Sequence, residues 1–315
     1  MENNQKKSGV SVIMNCLNCA KYLGEALDSV FSQTYRDWEI IFWDNASIDN
    51  SAKIAKSYGE KVKYFRSEKT CPLGKARNLA LEKATGEYFA FLDCDDIWLP
   101  EKLEKQVSTF TNDSKIGLVF SDAIYFNKKG KTFQLYGKKK PSEGYVFGQL
   151  LKKNFLCLSA VVIKKGTLSG LNEWFDSRFS HMEDTDLFLR IAYNWKLAYV
   201  NDVLVKYRMH EESWTSKHYL SFPGEKEILI RKLLGLHPNL IKEYGYELKA
   251  MQTRISYEKF ASYWKNGERK KARQYLKPFL KLDKKLSLPY VFSYFFPFSF
   301  YIFLLRIYIK RVYSP

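Results

Sequence analysis

The chain is poor in the features that mark several common classes. Cysteine is scarce, with five in 315 residues. One C-x-x-C, Cys16 and Cys19, has no second pair to complete a zinc site. The cysteines read as small core residues, and their scatter fits a reducing, cytoplasmic setting. No G-x-G-x-x-G follows the first apolar run; that turn is Asn15-Cys16-Leu17-Asn18, which argues against a dinucleotide oxidoreductase. G-x-x-x-x-G-K-[ST] is absent as well, which argues against a P-loop nucleotide hydrolase. No secretory signal is read at Met1 to Gly9: that stretch is polar and lysine-bearing, and the apolar run after it, Val10 to Met14, is too short.

What is present can build a core. Hydrophobic residues make up 46% of the chain, an ordinary share, while the aromatic share of 17% is high and concentrated late. The length allows one large domain or two modest ones. The net charge is +17, and from Ser221 to Pro315 there are 19 basic residues against 7 acidic ones, so most of the excess lies in the last third. Such an imbalance points to a polyanionic partner, nucleic acid or an anionic membrane surface. The tail carries no recognisable nucleic-acid motif, so nucleic acid is not expected.

Strand and helix signals alternate through the first 120 residues. Val10 to Met14, Glu39 to Trp43, Val62 to Phe65 and Tyr88 to Leu92 read as strands. Between them, Tyr22 to Ser32, a helix capped at Asn50 or Ser51, and Gly74 to Ala84 have helical spacing. Repeated strand–helix units imply a parallel sheet with helices on both faces, and ligands then bind outside the carboxyl ends of the strands. Further on, Leu118 to Phe120, Ile124 to Phe126, Leu158 to Ile163, Tyr199 to Val200 and Leu204 to Tyr207 read as short strands, with a turn at Asn127 to Gly130 and a helix from Asp184 to Tyr193. After Ser221 only helices are expected: Glu225 to Leu234, Pro238 to Tyr244, Leu248 to Trp264 and Glu268 to Leu280.

The densest chemistry is Asp93-Cys94-Asp95-Asp96, directly after a strand. One acid would serve as an N-cap if Ile97 to Glu101 opened a helix. Three crowded carboxylates call for a positive partner, and a hard divalent cation on oxygen ligands is the simplest. Asp44-Asn45-Ala46-Ser47 ends the second strand; Asp44 can accept from an imide N–H such as N3 of uracil, or cap a turn with Ser47. Lys75 and Arg77 sit at a helix start, where they face a phosphate or simply solvent. Glu183 and Asp184 are adjacent acids before an apolar helix; one can take a proton from an acceptor hydroxyl, or both serve the helix dipole. His210 follows the last strand and can supply a nitrogen ligand to a metal.

In order and spacing, these segments resemble the family 2 glycosyltransferases of the GT-A fold, from Val10 to about Ser216. The carriers are Val10 to Ile13, Asn18 to Leu23, Asp44 to Asp49, Ala76-Arg77-Asn78 with Gly86-Glu87-Tyr88, Phe91 to Asp96, Phe175-Asp176, Glu183-Asp184 with Asp186-Leu187 and Leu189-Arg190, and Tyr207-Arg208-Met209-His210. The resemblance implies a Rossmann-like mixed, mainly parallel sheet flanked by helices over residues 1–220, and a basic helical extension over 221–315. It implies an inverting transfer of one sugar from a nucleotide-sugar donor, preferably a UDP-sugar, to a hydroxyl of a glycan or lipid-linked glycan. Asp44, Asn45, Ser47, Lys75, Arg77 and Asp93 would bind the donor. Asp93, Asp95 and His210 would hold Mn²⁺ or Mg²⁺, and Asp184 would be the base with Glu183 beside it.

Two departures bear on the expected activity. Family members often have Asp-Asp-Gly-Ser where this chain has Asp44-Asn45-Ala46-Ser47, and no Q-x-x-R-W motif of processive synthases is present. Addition of single sugars is therefore expected. The competing readings are a nucleotidyltransferase that makes the sugar nucleotide, whose Gly-rich basic loop Asn15 to Lys21 does not provide, and a non-catalytic carbohydrate- or membrane-binding module, against which the intact acids argue. The uncharged stretch Leu286 to Leu305, flanked by Lys281, Lys284, Lys285, Arg306, Lys310 and Arg311, is read as an interfacial helix pair broken at Pro297, rather than a packed tail or a span. The expected location is cytoplasmic, peripheral on the inner face of a bacterial plasma membrane.

Overall fold

A computed structural model describes residues 9–130, 132–211, 222–281 and 283–304. Leu305, Arg306, Lys310 and Arg311 of the tail, Ser216 and the junction between residues 220 and 221 lie outside the described residues. The chain divides at residue 217 into two compact units, with Leu151–Lys153 counted in the second.

The first unit is built on one mixed sheet in the order β3-β2-β1-β4-β8-β6-β9-β5, with β7 paired to β6. Its first strands are β1 (Val10–Cys16), β2 (Trp38–Asp44), β3 (Val62–Arg66) and β4 (Tyr88–Phe91), all parallel to one another. The intervening helices are α1 (Ala20–Phe31), α2 (Ser51–Lys56) and α3 (Leu73–Leu81). β1 and β2 are buried at almost every position, and so read as continuous apolar runs rather than alternating ones. The apolar stripe Leu23, Ala26, Leu27 and Val30 of α1 is fully buried in the same core, each large side chain contributing about 1.5–3 kcal/mol by leaving water.

The second half of the sheet differs from a mainly parallel one. β8 (Val161–Lys164) runs antiparallel to both β4 and β6, and β5 (Ile97–Trp98) runs antiparallel to β9. The expected short strands merge: β6 (Ile116–Phe126) and β9 (Lys196–Arg208) are each continuous and parallel to one another. They read as separate because β6 shifts register around Ser121 and Asp122, where an irregular rung breaks the apolar alternation. Buried Asp122 serves that irregularity by accepting from Ala123 N, Gln134 Nε2 and Tyr136 N. The turn at Asn127 to Gly130 forms as expected, with Gly130 at φ 73°, and leads into β7 (Thr132–Gln134).

Ile97 to Glu101 does not open a helix. Ile97 and Trp98 form β5, and the helix α4 (Lys102–Thr109) starts four residues later with Glu101 before it. The competing reading, in which one acid of Asp93-Cys94-Asp95-Asp96 caps a helix opened by Ile97, falls with it. Tertiary pairing to the end of β9 claims the segment, and this draws β9 up to the acidic turn.

The second unit is helical. Its longest element, Leu240–Lys265, joins the two expected helices across a non-helical residue, Tyr244. The uncharged stretch forms a helix, Ser287–Phe295, then breaks at Phe296 and Pro297 before a further helical turn over 298–304. One side of it is core: Leu286 and Tyr301 are buried with Phe260, Trp264, Ala272 and Leu276, and Trp264 Nε1 donates to Phe296 O at 3.1 Å. Among the described residues no helix is long and apolar enough to cross a membrane.

Candidate active site

The carboxyl ends of β1, β2 and β4 share one edge of the sheet. Cys16 stands opposite Asp44, and Ile13 opposite Phe91, two residues before Asp93. Strand order turns back at β1, where crevices of open α/β sheets form.

Asp44 lies fully buried at the β2 end of this edge. Its Oδ1 accepts from Ser47 N at 2.7 Å, and its Oδ2 accepts from Tyr64 Oη at 2.6 Å and Arg66 Nη1 at 2.7 Å. Burial pushes this carboxyl up, but the hydrogen bonds from Tyr64 and Ser47 and the Arg66 charge outweigh it and hold it below its usual range. Asn45 and Ser47 bond to the protein: Asn45 clamps Cys71 through both its amide atoms, and Ser47 Oγ accepts from Asn18 N at 3.0 Å. They shape the loops around Asp44. Sequence reading missed Tyr64 and Arg66. The parallel register that sets Asp44 opposite Arg66 is the signal that would have found the arginine.

Arg77 joins three elements. It is buried in α3, donates to Glu183 Oε1 at 2.7 Å and reaches Asp93 Oδ1 at 3.4 Å. Its guanidinium also lies over the Phe175 ring, 5.5 Å from the centroid. The next residue, Asn78, clasps the Phe175 backbone by donating to its carbonyl at 2.7 Å and accepting from its N–H at 2.8 Å. Lys75, in contrast, is exposed on the same helix.

Glu183 opens α5 (Glu183–Asn194) and is buried, whereas Asp184 is half-buried. Burial, then the adjacent Glu183 charge, pushes the Asp184 carboxyl up to about 7, against the opposite pull of Arg77 and of the Thr185 N–H. The helix is fastened by a buried ion pair, Arg190 to Asp186 at 2.7 Å, with Arg190 also donating to the carbonyls of Glu173 and Trp174.

At the acidic turn, Asp95 Oδ2 and His210 Nε2 are 2.8 Å apart, and the His210 ring packs on Tyr22. Arg208 secures the turn: its Nε donates to Asp95 O, its backbone N–H donates to Asp96 Oδ1, and its Nη2 donates to Glu25. Asp96 is buried and also accepts from Ser159 Oγ at 2.6 Å. Burial, then the charges of Asp93 and Asp95, push its carboxyl well above the usual range; burial likewise raises Asp93, with Arg77 opposing and Asp95 and Glu183 adding to the rise. Such an excess of carboxylate suits a divalent cation, and oxygen ligands with an imidazole suit Mn²⁺ or Mg²⁺. Asp93, turned to Arg77, is not drawn in with Asp95 and His210: among the described residues the one group of three such ligands whose donor atoms all lie within 4.8 Å is Cys16, Cys19 and Cys94. Arg208 and Ser159 carry no sequence signal for these roles, because each acts through a fold contact from far along the chain, Arg208 from the end of β9 and Ser159 from the short 3-10 turn Leu158–Ala160 before β8.

Against known proteins, the profile described as glycosyl transferase family 2 matches residues 11–168. An uncharacterised glycosyltransferase of Methanocaldococcus jannaschii is 31% identical over 206 residues, covering 64% of this chain and 70% of the relative. The Escherichia coli UDP-Glc:α-D-GlcNAc-diphosphoundecaprenol β-1,3-glucosyltransferase WfgD is 29% identical over 223 residues, covering 70% of this chain and 85% of its own. Among solved structures, S. aureus TarS 1–349 in complex with UDP-GlcNAc superposes with a TM-score of 0.67 at 19% identity, over 88% of this chain and 82% of that one. The Pyrobaculum calidifontis mannosyltransferase PcManGT, in complex with GDP-Man and Mn²⁺, gives 0.60 at 15% identity, over 98% of this chain and 88% of that one. These two likenesses speak for the fold, a mixed sheet with flanking helices of the GT-A kind. With half of its length matched by the family profile and a relative above 30% identity aligned over most of its length, the chain belongs to glycosyl transferase family 2 and is a glycosyltransferase.

Proposed function

We propose that this enzyme moves a single sugar, with inversion, from a nucleotide-sugar donor to a hydroxyl of a glycan or lipid-linked glycan. The observation that carries the reading is the chain Glu183–Arg77–Asp93, which ties the start of α5 to the acidic turn through ion pairs of 2.7 and 3.4 Å. It places a half-buried carboxylate, Asp184, on the same structural unit as the acids expected to face a diphosphate. Family membership removes the nucleotidyltransferase reading.

In this mechanism Asp184 accepts the proton of the acceptor hydroxyl as its oxygen bonds to the anomeric carbon. The bond from that carbon to the donor diphosphate breaks, and the diphosphate leaves with the electron pair. No covalent enzyme intermediate is needed. Asp95 and His210 would hold a divalent cation, which when bound supplies positive charge against the departing diphosphate, while Asp93 is turned to Arg77. Arg77 keeps Asp93 and Glu183 in place. Asp44, fully buried and already accepting from Tyr64, Arg66 and the Ser47 N–H, fixes the loop of Asn45 and Ser47 against which the base is expected to sit, while exposed Lys75 serves phosphate from solvent. A UDP-sugar is preferred: the E. coli relative is named for UDP-Glc, and the TarS structure holds UDP-GlcNAc.

A peripheral place on the inner face of a bacterial plasma membrane completes the proposal. It is supported by the basic last third and by the outward side of the tail, where Leu288, Val291, Tyr294, Phe295 and Phe303 are exposed. The lipid-linked diphosphoundecaprenol in the name of the E. coli relative points to acceptors at such a surface. The test of the reading is a donor panel. Protein with Mn²⁺ is incubated with UDP-, GDP- and TDP-sugars, and thermal stabilisation and donor hydrolysis are measured. At least one donor, expected among the UDP-sugars, stabilises the protein; failure of every donor to bind sinks the assignment of substrate class.

A further inference from the structure

The three cysteines near the acidic turn are not scattered in space. Cys16 ends β1, Cys19 precedes α1, and Cys94 lies between Asp93 and Asp95. Their sulfur atoms all fall within 4.8 Å of one another, with Cys16 and Cys94 buried and Cys19 half-buried. The register explains this. β1 and β4 are parallel neighbours with Ile13 opposite Phe91, so Cys16 and Cys94 follow at equal distances past that rung and leave the sheet on the same face. The chain then turns into α1 and carries Cys19 back over them. Around the thiols, Ser47 Oγ is 3.7 Å from Cys16 Sγ, and the Cys94 and Cys19 thiols donate to the carbonyls of Asn15 and Leu17. The other two cysteines stand apart: Cys71 is bonded to Asn45, and Cys157 is buried elsewhere in the core.

We propose that Cys16, Cys19 and Cys94 form a thiolate site for one soft, thiophilic metal ion of the Zn²⁺ or Cu⁺ kind, separate from the hard-cation site of Asp95 and His210. Three sulfurs bonded at about 2.3 Å to a common ion sit roughly 4 Å apart, so small side-chain rotations draw the observed cluster onto one centre. The donor set selects the ion. Thiolates favour soft or borderline metals, whereas carboxylates with an imidazole favour Mn²⁺ or Mg²⁺, so two metals can be held side by side without exchange. Three protein ligands and a half-open side at Cys19 leave a fourth position for water. Binding releases the thiol protons to solvent, so occupancy falls as pH falls. A bound ion cross-links the ends of β1 and β4 to the start of α1 and stiffens the backbone between Asp93 and Asp95.

The test uses the reduced full-length protein and metal alone, so it does not depend on the glycosyl-transfer reading. Titration with Cd²⁺ in excess Mg²⁺ is followed by thiolate-to-metal charge-transfer absorption in the ultraviolet, a signal that carboxylates do not give. One equivalent is expected to saturate the band, and Cd²⁺, the softer ion, to displace Zn²⁺ loaded beforehand. Cys71→Ser with Cys157→Ser is expected to keep the band, and Cys19→Ser, the substitution at the half-buried position, to weaken Cd²⁺ binding at least tenfold. As a check that needs no variant, one equivalent of Zn²⁺ is expected to slow alkylation of Cys16, Cys19 and Cys94 in the native protein, mapped by peptide mass. Absence of the band, its loss with Cys71 and Cys157, or alkylation at Cys19 unchanged by Zn²⁺ overturns the proposal.

Discussion

Asp184 and Glu183 are neighbours with different surroundings, and the difference assigns their roles. Glu183 is buried against Arg77 and stays in an ion pair. Asp184 is half-buried, with its carboxyl pushed up to about 7 by burial and by the Glu183 charge. A base must be deprotonated to work, so kcat/KM is expected to rise with pH through about 7 and then level, falling about tenfold per pH unit on the acid side. In Glu183→Gln the charge that raises Asp184 is gone while Arg77 still lowers it, so the acid limb moves to lower pH; a limb that stays in place would show that another group sets it. Asp184→Asn should keep donor affinity and lose transfer by roughly 10²–10⁴-fold, and full activity in that variant excludes Asp184 as base. A second residue-scale prediction concerns Ala46, which sits at φ 65° between Asn45 and Ser47. An L-residue there costs about 1–2 kcal/mol, and glycine gives back part of the gain through its more flexible unfolded chain. Ala46→Gly is expected to stabilise the protein by about 0.5–1 kcal/mol, read as a higher urea midpoint with an unchanged slope. A lower midpoint would contradict the strain argument.

Elements meet at the site through a few buried side chains, and Arg77 is one of them, buried against Glu183 and reaching Asp93. In Arg77→Met the Glu183 carboxylate stays buried without its charge partner, a change expected to cost about 3–5 kcal/mol. Adding Glu183→Gln should recover part of that loss, because the double variant buries no uncompensated charge; denaturant unfolding of the four proteins gives the coupling, and strict additivity would argue against the pair. The same elements show what a sequence discloses. The strands β1 to β4 and the stripe of α1 were legible because buried parallel strands and an amphipathic helix leave plain periodic patterns. The motif acids were legible because Asp44 ends β2 and Asp93 lies just past the end of β4. The rest was not, for reasons of distance along the chain: Arg208 reaches Asp95 and Asp96 across 113 and 112 residues, and Ser159 reaches Asp96 across 63. Ile97 and Trp98 became a strand only because β9 arrives beside them. Arg77 read as a cation facing phosphate, yet burial turned it inward to two carboxylates.

At the scale of the whole molecule, the charge and the aromatics of the last third ask for a surface to meet. The stretch after Leu286 is two-sided. Leu286 and Tyr301 belong to the core around Trp264, so deleting the stretch would damage the second unit and a loss of membrane binding would prove nothing. The informative change is confined to the outward side. Val291, Phe295 and Phe303 are exposed at 50%, 72% and 57%; their replacement by serine leaves the core residues in place. Such side chains bind a bilayer by burying apolar area, while nearby lysines and arginines add attraction to anionic headgroups. The native protein is therefore expected to sediment with vesicles containing phosphatidylglycerol and much less with pure phosphatidylcholine. Salt should weaken that binding, since the screening length shrinks from about 10 Å at 0.1 M to about 3 Å at 1 M. The triple serine variant should bind at least tenfold more weakly at low salt while keeping its helical circular dichroism and its thermal midpoint. Equal vesicle binding by the native and triple-variant proteins would mean that this face does not dock on the membrane, and that the basic charge serves another polyanion.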